Sequence, residues 1–225
     1  MIHMTNMFPN ELFEDIEKKD GYIALIFYMA DVLLIIINTY IFRDLLRSNK
    51  LSAELRQLIS GSVFYLMSLL LILIITRIRN QKLYTIGIRR KGLTFSIGIG
   101  LALSVIVFLI HIFNGRDMDA ALYEFIFYVV ILGFSEEIAF RGFIWPRLAV
   151  LFGRKYGTIL SGIMFGIMHA PFKIIMYEAP VFSSIFNEIG GGVIASIVFI
   201  FIYTRNKNIV LPSMIHGILD YAGRI

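Results

Sequence analysis

The sequence predicts an all-α polytopic membrane protein with about seven transmembrane helices and an N-terminal amphipathic helix. Of its 225 residues, 58% are hydrophobic and only 16% are charged. The mean hydropathy of +0.78 is far above that of a soluble domain. The net charge of +5 comes mostly from short segments between long apolar runs, which excludes the contiguous basic face expected of a nucleic-acid-binding protein. Because the chain has no cysteine, disulfides, thiolate metal ligands and a cysteine nucleophile are also excluded.

The elements follow in order from hydropathy. The N-terminal interfacial segment is residues 1–20. Within it, apolar side chains lie among acidic ones over 5–20, which predicts an amphipathic helix at the membrane surface. Seven apolar runs come next, and all but the short last one can cross about 30 Å of hydrocarbon at about 1.5 Å per residue. The predicted spans are residues 22–42, 58–76, 93–113, 120–145, 157–175, 181–203 and 209–222. We expect one membrane domain over 1–225.

The distribution of basic residues predicts which way the helices run. Segments on the same side as the N-terminus hold thirteen lysines and arginines, and segments on the opposite side hold seven. Since basic loops stay in the cytoplasm, these counts predict a cytoplasmic N-terminus, although the basic loop at 43–56 opposes it. The absence of a eukaryotic targeting feature and the small size favour a bacterial cell membrane.

Residues 133–142 of the fourth predicted span contain three charged residues, Glu136, Glu137 and Arg141. Charged groups are rare in hydrocarbon and usually line a cavity or a working site. Glu137 and Arg141 are four residues apart and share a helix face, whereas Glu136 is turned by about 100°. We therefore expect Arg141 to pair with Glu137, and Glu136 to face a cavity as a proton acceptor. The alternative is an arginine-bridged packing element without chemistry.

Two histidines and a further acid are predicted at a similar depth in the bundle. At the helical rise per residue, Glu136 lies about 17 Å from the loop that follows its span, and His169 lies about 18 Å from the same loop. His216 lies about 13 Å from the preceding loop, with Asp220 one turn further on the same face. Four polar groups from three helices can therefore converge.

Two other polar residues within the spans favour structural roles. His111 ends the third span beside Asn114 and Arg116, which predicts an interfacial position. Asp31, within the first span, is predicted to face a polar bundle interior or to pair with another helix.

Three short motifs contain the converging residues. They are Glu-Glu-x-x-x-Arg at 136–141, Phe-x-x-x-His at 165–169 and His-x-x-x-Asp at 216–220. Together and in this order they resemble the CAAX protease and bacteriocin-processing (CPBP or Abi) intramembrane proteases, which include the CAAX prenyl endopeptidase. The resemblance covers roughly residues 130–221, and residues 120–222 would form the catalytic core. The zincin motif His-Glu-x-x-His is absent, as are the rhomboid Gly-x-Ser-Gly and the presenilin Gly-x-Gly-Asp.

The resemblance implies roles for four residues. Glu136 and His169 would activate a water for attack on a peptide carbonyl, with Glu136 as the general base. His216 and Asp220 would stabilise the oxyanion, or His216 would help to hold a metal. An ionised Asp220 accepts hydrogen bonds but cannot donate one to an oxyanion, so it must instead be protonated, orient His216 or bind a cation.

The resemblance leaves the type of protease open. Glu137 and Arg141 would orient the site in either case. A metalloprotease would hold one divalent ion such as zinc on Glu136, His169 and His216, whereas a glutamate protease would need no cofactor.

The leading interpretation is an intramembrane endopeptidase that hydrolyses a hydrophobic or membrane-bound peptide within the lipid bilayer. A peptide-processing or bacteriocin-immunity role is favoured. One alternative is a non-catalytic membrane binding, immunity or scaffold protein. The other is a small transporter that uses Glu136, His169 and Asp220 as a proton relay. None of these interpretations involves nucleic acid.

Overall fold

A computed structural model describes residues 8–224, and no strand occurs within them. Short 3₁₀ segments lie at Asn10–Leu12 and Leu83–Ile86. The remaining elements are helices α1 (Lys18–Ile41), α2 (Arg43–Arg47), α3 (Ala53–Ile78), α4 (Leu93–Phe113), α5 (Met118–Phe152), α6 (Arg154–Met168), α7 (Ala170–Tyr177), α8 (Val181–Asn206) and α9 (Val210–Ala222). The predicted all-α polytopic class is therefore confirmed.

Six helical segments in the described part of the chain are long and apolar enough to cross a membrane. They are α1, α3, α4, α5, the α6–α7 pair and α8. The predicted seventh span corresponds to α9, whose 13 residues extend about 20 Å, less than the hydrocarbon thickness. Its start is anchored to the loop before α4, because the fully buried Asn208 donates its side-chain amide to the backbone carbonyl of Arg89. The count is thus six long spans and one short buried helix.

The N-terminal segment differs from the predicted amphipathic helix. Residues 5–7 lie outside the described part, and over 8–17 the only helical turn is the 3₁₀ segment. Neighbouring loops hold this backbone instead. Arg154 donates to the carbonyl of Phe8 at 2.9 Å, and Arg89 donates to that of Glu11 at 2.7 Å. These hydrogen bonds hold the segment against the end of the bundle, in place of the α-helix on the lipid surface that the composition predicted.

Polar contacts join the loops at each end of the bundle. At the N-terminal end, Lys207 Nζ lies 2.5 Å from Glu11 Oε1, and Gln81 donates to Asp20 at 3.0 Å. At the opposite end, Arg116 lies 2.8 Å from Glu54. Successive loops thus alternate between the two ends, as the hydropathy predicted, and α9 runs between them despite its length. The cytoplasmic location of the N-terminus stays a prediction.

Helix α5 is irregular where the first motif lies. Two π-helical segments, Ile126–Leu132 and Ile138–Ile144, flank an α-helical turn at Gly133–Glu137. Such π segments widen a helix and are frequent at functional sites. Against this turn α9 packs with its backbone in contact. A Cβ added at Gly133 would lie 2.4 Å from the carbonyl oxygen of Ser213, and one added at Gly217 would lie 2.4 Å from that of Tyr128. The two glycines therefore bring α9 directly onto the motif.

Candidate active site

Glu136 is held on one side by a tyrosine from another helix. Its Oε1 accepts a hydrogen bond of 2.6 Å from the hydroxyl of Tyr65 on α3. Its Oε2 is buried without a hydrogen-bond partner in the described residues and lies 3.7 Å from Nε2 of His216. The side chain is only 11% exposed. Glu136 therefore presents one fixed and one unoccupied carboxylate oxygen.

Glu137 forms the predicted ion pair with Arg141 and also contacts α9. Both side chains are fully buried, and Arg141 Nη1 lies 2.9 Å from Glu137 Oε1. No nitrogen of Arg141 has a well-aligned hydrogen bond to a described residue, so the contact is chiefly electrostatic. The rings of Phe165 and Phe199 cover the guanidinium, with centroids 4.2 and 5.3 Å away. Glu137 thus stabilises a buried cation inside an aromatic box.

His216 extends this arrangement towards Glu136. Its Nδ1 lies 2.8 Å from Glu137 Oε1, and its ring stacks on Phe199 with the centroids 4.9 Å apart. A carboxylate only accepts hydrogen bonds, so Nδ1 carries the hydrogen. Nε2 then faces Glu136 and Asp220, whose Oδ2 is 3.6 Å away. The contact with Asp220 fits the expectation that this acid orients His216.

His169 lies at the junction of α6 and α7. Pro171 lies in the first turn of α7, and because it lacks the N–H that would continue the hydrogen bonding of the preceding helix, α6 ends at Met168. His169 Nδ1 lies 2.8 Å from the carbonyl oxygen of Phe165, the first residue of the same motif. That oxygen only accepts, so Nδ1 donates, and Nε2 of the neutral ring is left as an acceptor.

Two cavities meet at the converging residues. The larger, of about 370 Å³, is bordered by Glu136, His169 and Asp220. It extends towards the end of the bundle opposite the N-terminal segment, where Leu46 and Tyr177 line it. The second, of about 270 Å³, lies on the α8 side and shares His169 and Asp220 with the first. The residues predicted from depth therefore lie at the boundary of two cavities.

His216 completes this boundary, since it lines the second cavity. All four predicted groups thus come together from α5, the α6–α7 junction and α9. Tyr65 was missed by the sequence reasoning, because a tyrosine within an apolar span carries no motif. His111, expected at the membrane interface and not in the site, lies in the last turn of α4. It is 1% exposed, stacks on Tyr221 at 4.0 Å and lies outside both cavities.

The predicted metal ligands do not form a complete set. Among residues 8–224, no group of three or more His, Cys, Asp or Glu side chains is arranged to hold a metal ion. Glu136 Oε2 and His216 Nε2 are near one another, but His169 does not join them in a three-ligand group. The arrangement does not fit a zinc site of three protein ligands.

Comparison with known proteins agrees with the motifs. Residues 118–222, just under half of the chain, match the family model for the Rce1-like type II CAAX prenyl endopeptidase. No curated protein and no solved structure matches significantly. The matched segment contains all three motifs, and the predicted resemblance to the CAAX protease family is confirmed. The match supports an integral membrane protease that acts on a membrane-associated peptide.

Proposed function

We propose that this protein is an intramembrane endopeptidase in which Glu136 activates a water to hydrolyse a peptide bond of a hydrophobic or membrane-bound substrate. The observation that carries the proposal is the convergence of Glu136, His169, His216 and Asp220 at the boundary of two cavities. A carboxylate oxygen without a partner, beside two imidazoles, is suited to general-base catalysis.

The first step is attack by water. The water enters the larger cavity and donates one hydrogen to Glu136 Oε2 and the other to His169 Nε2. Glu136 takes the first proton as the oxygen bonds to the carbonyl carbon, and the carbonyl π electrons move to its oxygen. His216 Nε2, protonated when the ring is an imidazolium, donates to this oxyanion. Asp220 and Glu137 on either side of His216 favour that charged form electrostatically.

The second step breaks the carbon–nitrogen bond. Glu136 returns its proton to the nitrogen as the oxyanion re-forms the carbonyl and the electrons of the carbon–nitrogen bond move to the nitrogen. The second hydrogen of the water then passes as a proton from the new carboxyl group to the new amine. The products are a new carboxylate and a new amine. Glu137 and Arg141 act as positioning residues, because Glu137 contacts His216, Arg141 contacts Glu137, and neither reaches the reacting atoms. Every step uses side chains of this chain alone, as a glutamate-type mechanism does.

The cavity walls favour an apolar peptide. Around the acidic and histidine groups, the larger cavity is lined by Phe64, Phe127, Leu132, Met168 and Phe172 among others. Such a wall binds an apolar side chain next to the scissile bond, because each Å² of apolar surface removed from water contributes roughly 25 cal/mol of free energy. Peptide processing or bacteriocin immunity is the physiological role that we propose, on the resemblance to the CPBP family.

Cleavage mapping tests the proposal. Membranes that contain the wild type or Glu136→Gln are compared by mass spectrometry of new peptide termini. We expect termini that appear with the wild type and vanish with the variant. Glu124→Gln is a matched control, since Glu124 is a buried acid of the same helix that pairs with Arg116 outside the cavities. Identical termini in all membranes would refute an endopeptidase and favour a transporter or scaffold.

A further inference from the structure

A small chamber lies behind Glu136, apart from the two larger cavities. Its volume is about 20 Å³, close to that of one water-sized probe. Helices α1, α3, α5 and the α6–α7 junction enclose it. The polar residues that line it are Asp31, Tyr65, Ser68, Ser135, Glu136 and His169. Asp31, which the proposed hydrolysis does not use, therefore faces the same space as the proposed base.

Three of the residues that line the chamber each have one buried polar atom without a hydrogen-bond partner in the described residues. The atoms are Asp31 Oδ1, Ser135 Oγ and Glu136 Oε2. Asp31 is 2% exposed and Ser135 is 3% exposed, so bulk solvent does not reach them. A buried polar atom without a hydrogen bond is unfavourable, and native proteins satisfy nearly all such atoms. A single water with three partners would satisfy all three at once.

The charges around Asp31 lead to the same conclusion. The charged group that acts on Asp31 is another carboxylate, that of Glu136, and Ser68 supplies a hydroxyl beside it. Asp31 thus faces the polar interior, one of its two predicted environments. A direct contact of two carboxylates is unfavourable, whereas a water between them can hydrogen-bond to both.

We infer that the chamber holds one ordered water and that Asp31, through this water, positions the carboxylate of Glu136. Each carboxylate oxygen has two lone pairs, so Glu136 Oε2 accepts from the chamber water and still faces the larger cavity. Tyr65 fixes Oε1 and the chamber water fixes Oε2. Asp31 is a positioning residue in this arrangement. Its kinetic consequence rests on the proposed endopeptidase function, but the water site does not.

The first test is structural and needs no activity. A high-resolution structure of the full chain in lipid nanodiscs should show a solvent peak about 2.7–3.2 Å from Asp31 Oδ1, Ser135 Oγ and Glu136 Oε2. The peak should weaken or vanish in Asp31→Ala. An empty chamber in the wild type would overturn the inference, whatever the protein hydrolyses.

The second test is kinetic, with the peptide identified by cleavage mapping as substrate. Loss of one hydrogen bond that holds the base corresponds to roughly tenfold in rate. We expect Asp31→Ala to lower kcat by about that factor with KM unchanged, and Asp31→Asn, which still binds water, to restore most of it. Ser135→Ala should lower kcat more weakly. The control is Ser104→Ala, a buried serine hydroxyl without a partner that lies outside the chamber.

The outcomes separate the two proposals. A solvent peak together with slower turnover in Asp31→Ala, rescued by Asp31→Asn, supports the inference. A peak with unchanged kcat in Asp31→Ala overturns the positioning role. A merely structural role of Asp31 would lower the folded yield or raise KM. An equal loss of kcat in Ser104→Ala would show that the effect is not specific to the chamber, and would overturn the positioning role. A peak in a protein without any hydrolytic activity refutes the proposed function and leaves the water site standing.

Discussion

Removal of Glu137 should destabilise the protein strongly, and a second substitution should reverse part of that loss. Glu137→Leu leaves Arg141 fully buried without its counter-charge at 2.9 Å, and leaves His216 Nδ1 without its acceptor. Breaking a buried pair in this way costs about 3–5 kcal/mol of unfolding free energy. The Arg141→Met substitution removes the unpaired charge and places a flexible apolar chain between the rings of Phe165 and Phe199. The double variant should therefore be more stable than Glu137→Leu alone.

The assay is a double-mutant cycle in mixed detergent micelles. Trp145 is the only tryptophan of the chain and is fully buried, so its fluorescence reports unfolding. We expect a coupling energy of about 1–3 kcal/mol between Glu137 and Arg141. The control cycle uses Arg47 and Glu178. Because these side chains are 44% and 77% exposed, that pair should couple by less than about 1 kcal/mol.

Additive losses in the Glu137–Arg141 cycle would refute this reasoning. They would mean that the two side chains do not depend on each other, and that the aromatic box alone stabilises the buried cation. Equal coupling energies in both cycles would also contradict it, since burial is the feature that distinguishes the two pairs.

Three further predictions concern packing, pH and metal. Gly133→Ala should cost about 1–3 kcal/mol of unfolding free energy and reduce cleavage, because its Cβ would lie 2.4 Å from the carbonyl oxygen of Ser213. The control is Gly190→Ala, whose Cβ would meet nothing within 4 Å. The hydrogen bond from Lys207 lowers the pKa of Glu11 below 4.5. The stability that this pair contributes should be complete above pH 4.5 and lost as pH falls through the lowered pKa. Denaturation measured across acidic pH should therefore show a smaller loss of unfolding free energy in Lys207→Met than in the wild type. A zinc chelator should leave cleavage unchanged, because residues 8–224 contain no three-ligand group; loss of cleavage that zinc restores would contradict the proposed mechanism.

Helical periodicity was sufficient to predict the contacts of the site that lie within a single helix. Residues four apart share a face, which predicted the contact between Glu137 and Arg141. The rise per residue predicted that Glu136, His169 and His216 lie at a similar depth, and they lie around adjoining cavities. Predictions of this kind succeed because they depend on the geometry of single helices and on their alternating direction.

Contacts between distant helices could not be predicted in the same way. Tyr65 and Glu136 are 71 residues apart, and no local pattern indicates which face of α3 meets α5. The N-terminal segment was assigned from its amphipathic composition, but hydrogen bonds from Arg89 and Arg154 override that preference. The anchoring of the chain just before α9 likewise depends on Asn208, which bonds to a loop 119 residues away in sequence.

The most direct test of the central claim is hydrolysis in ¹⁸O-labelled water. The substrate identified by cleavage mapping is incubated with the wild type and with Glu136→Gln, and the new C-terminus is weighed by mass spectrometry. Activation of water by Glu136 predicts one ¹⁸O atom in the new carboxylate and no product from the variant. A product without ¹⁸O, or an unchanged rate in Glu136→Gln, would contradict the account.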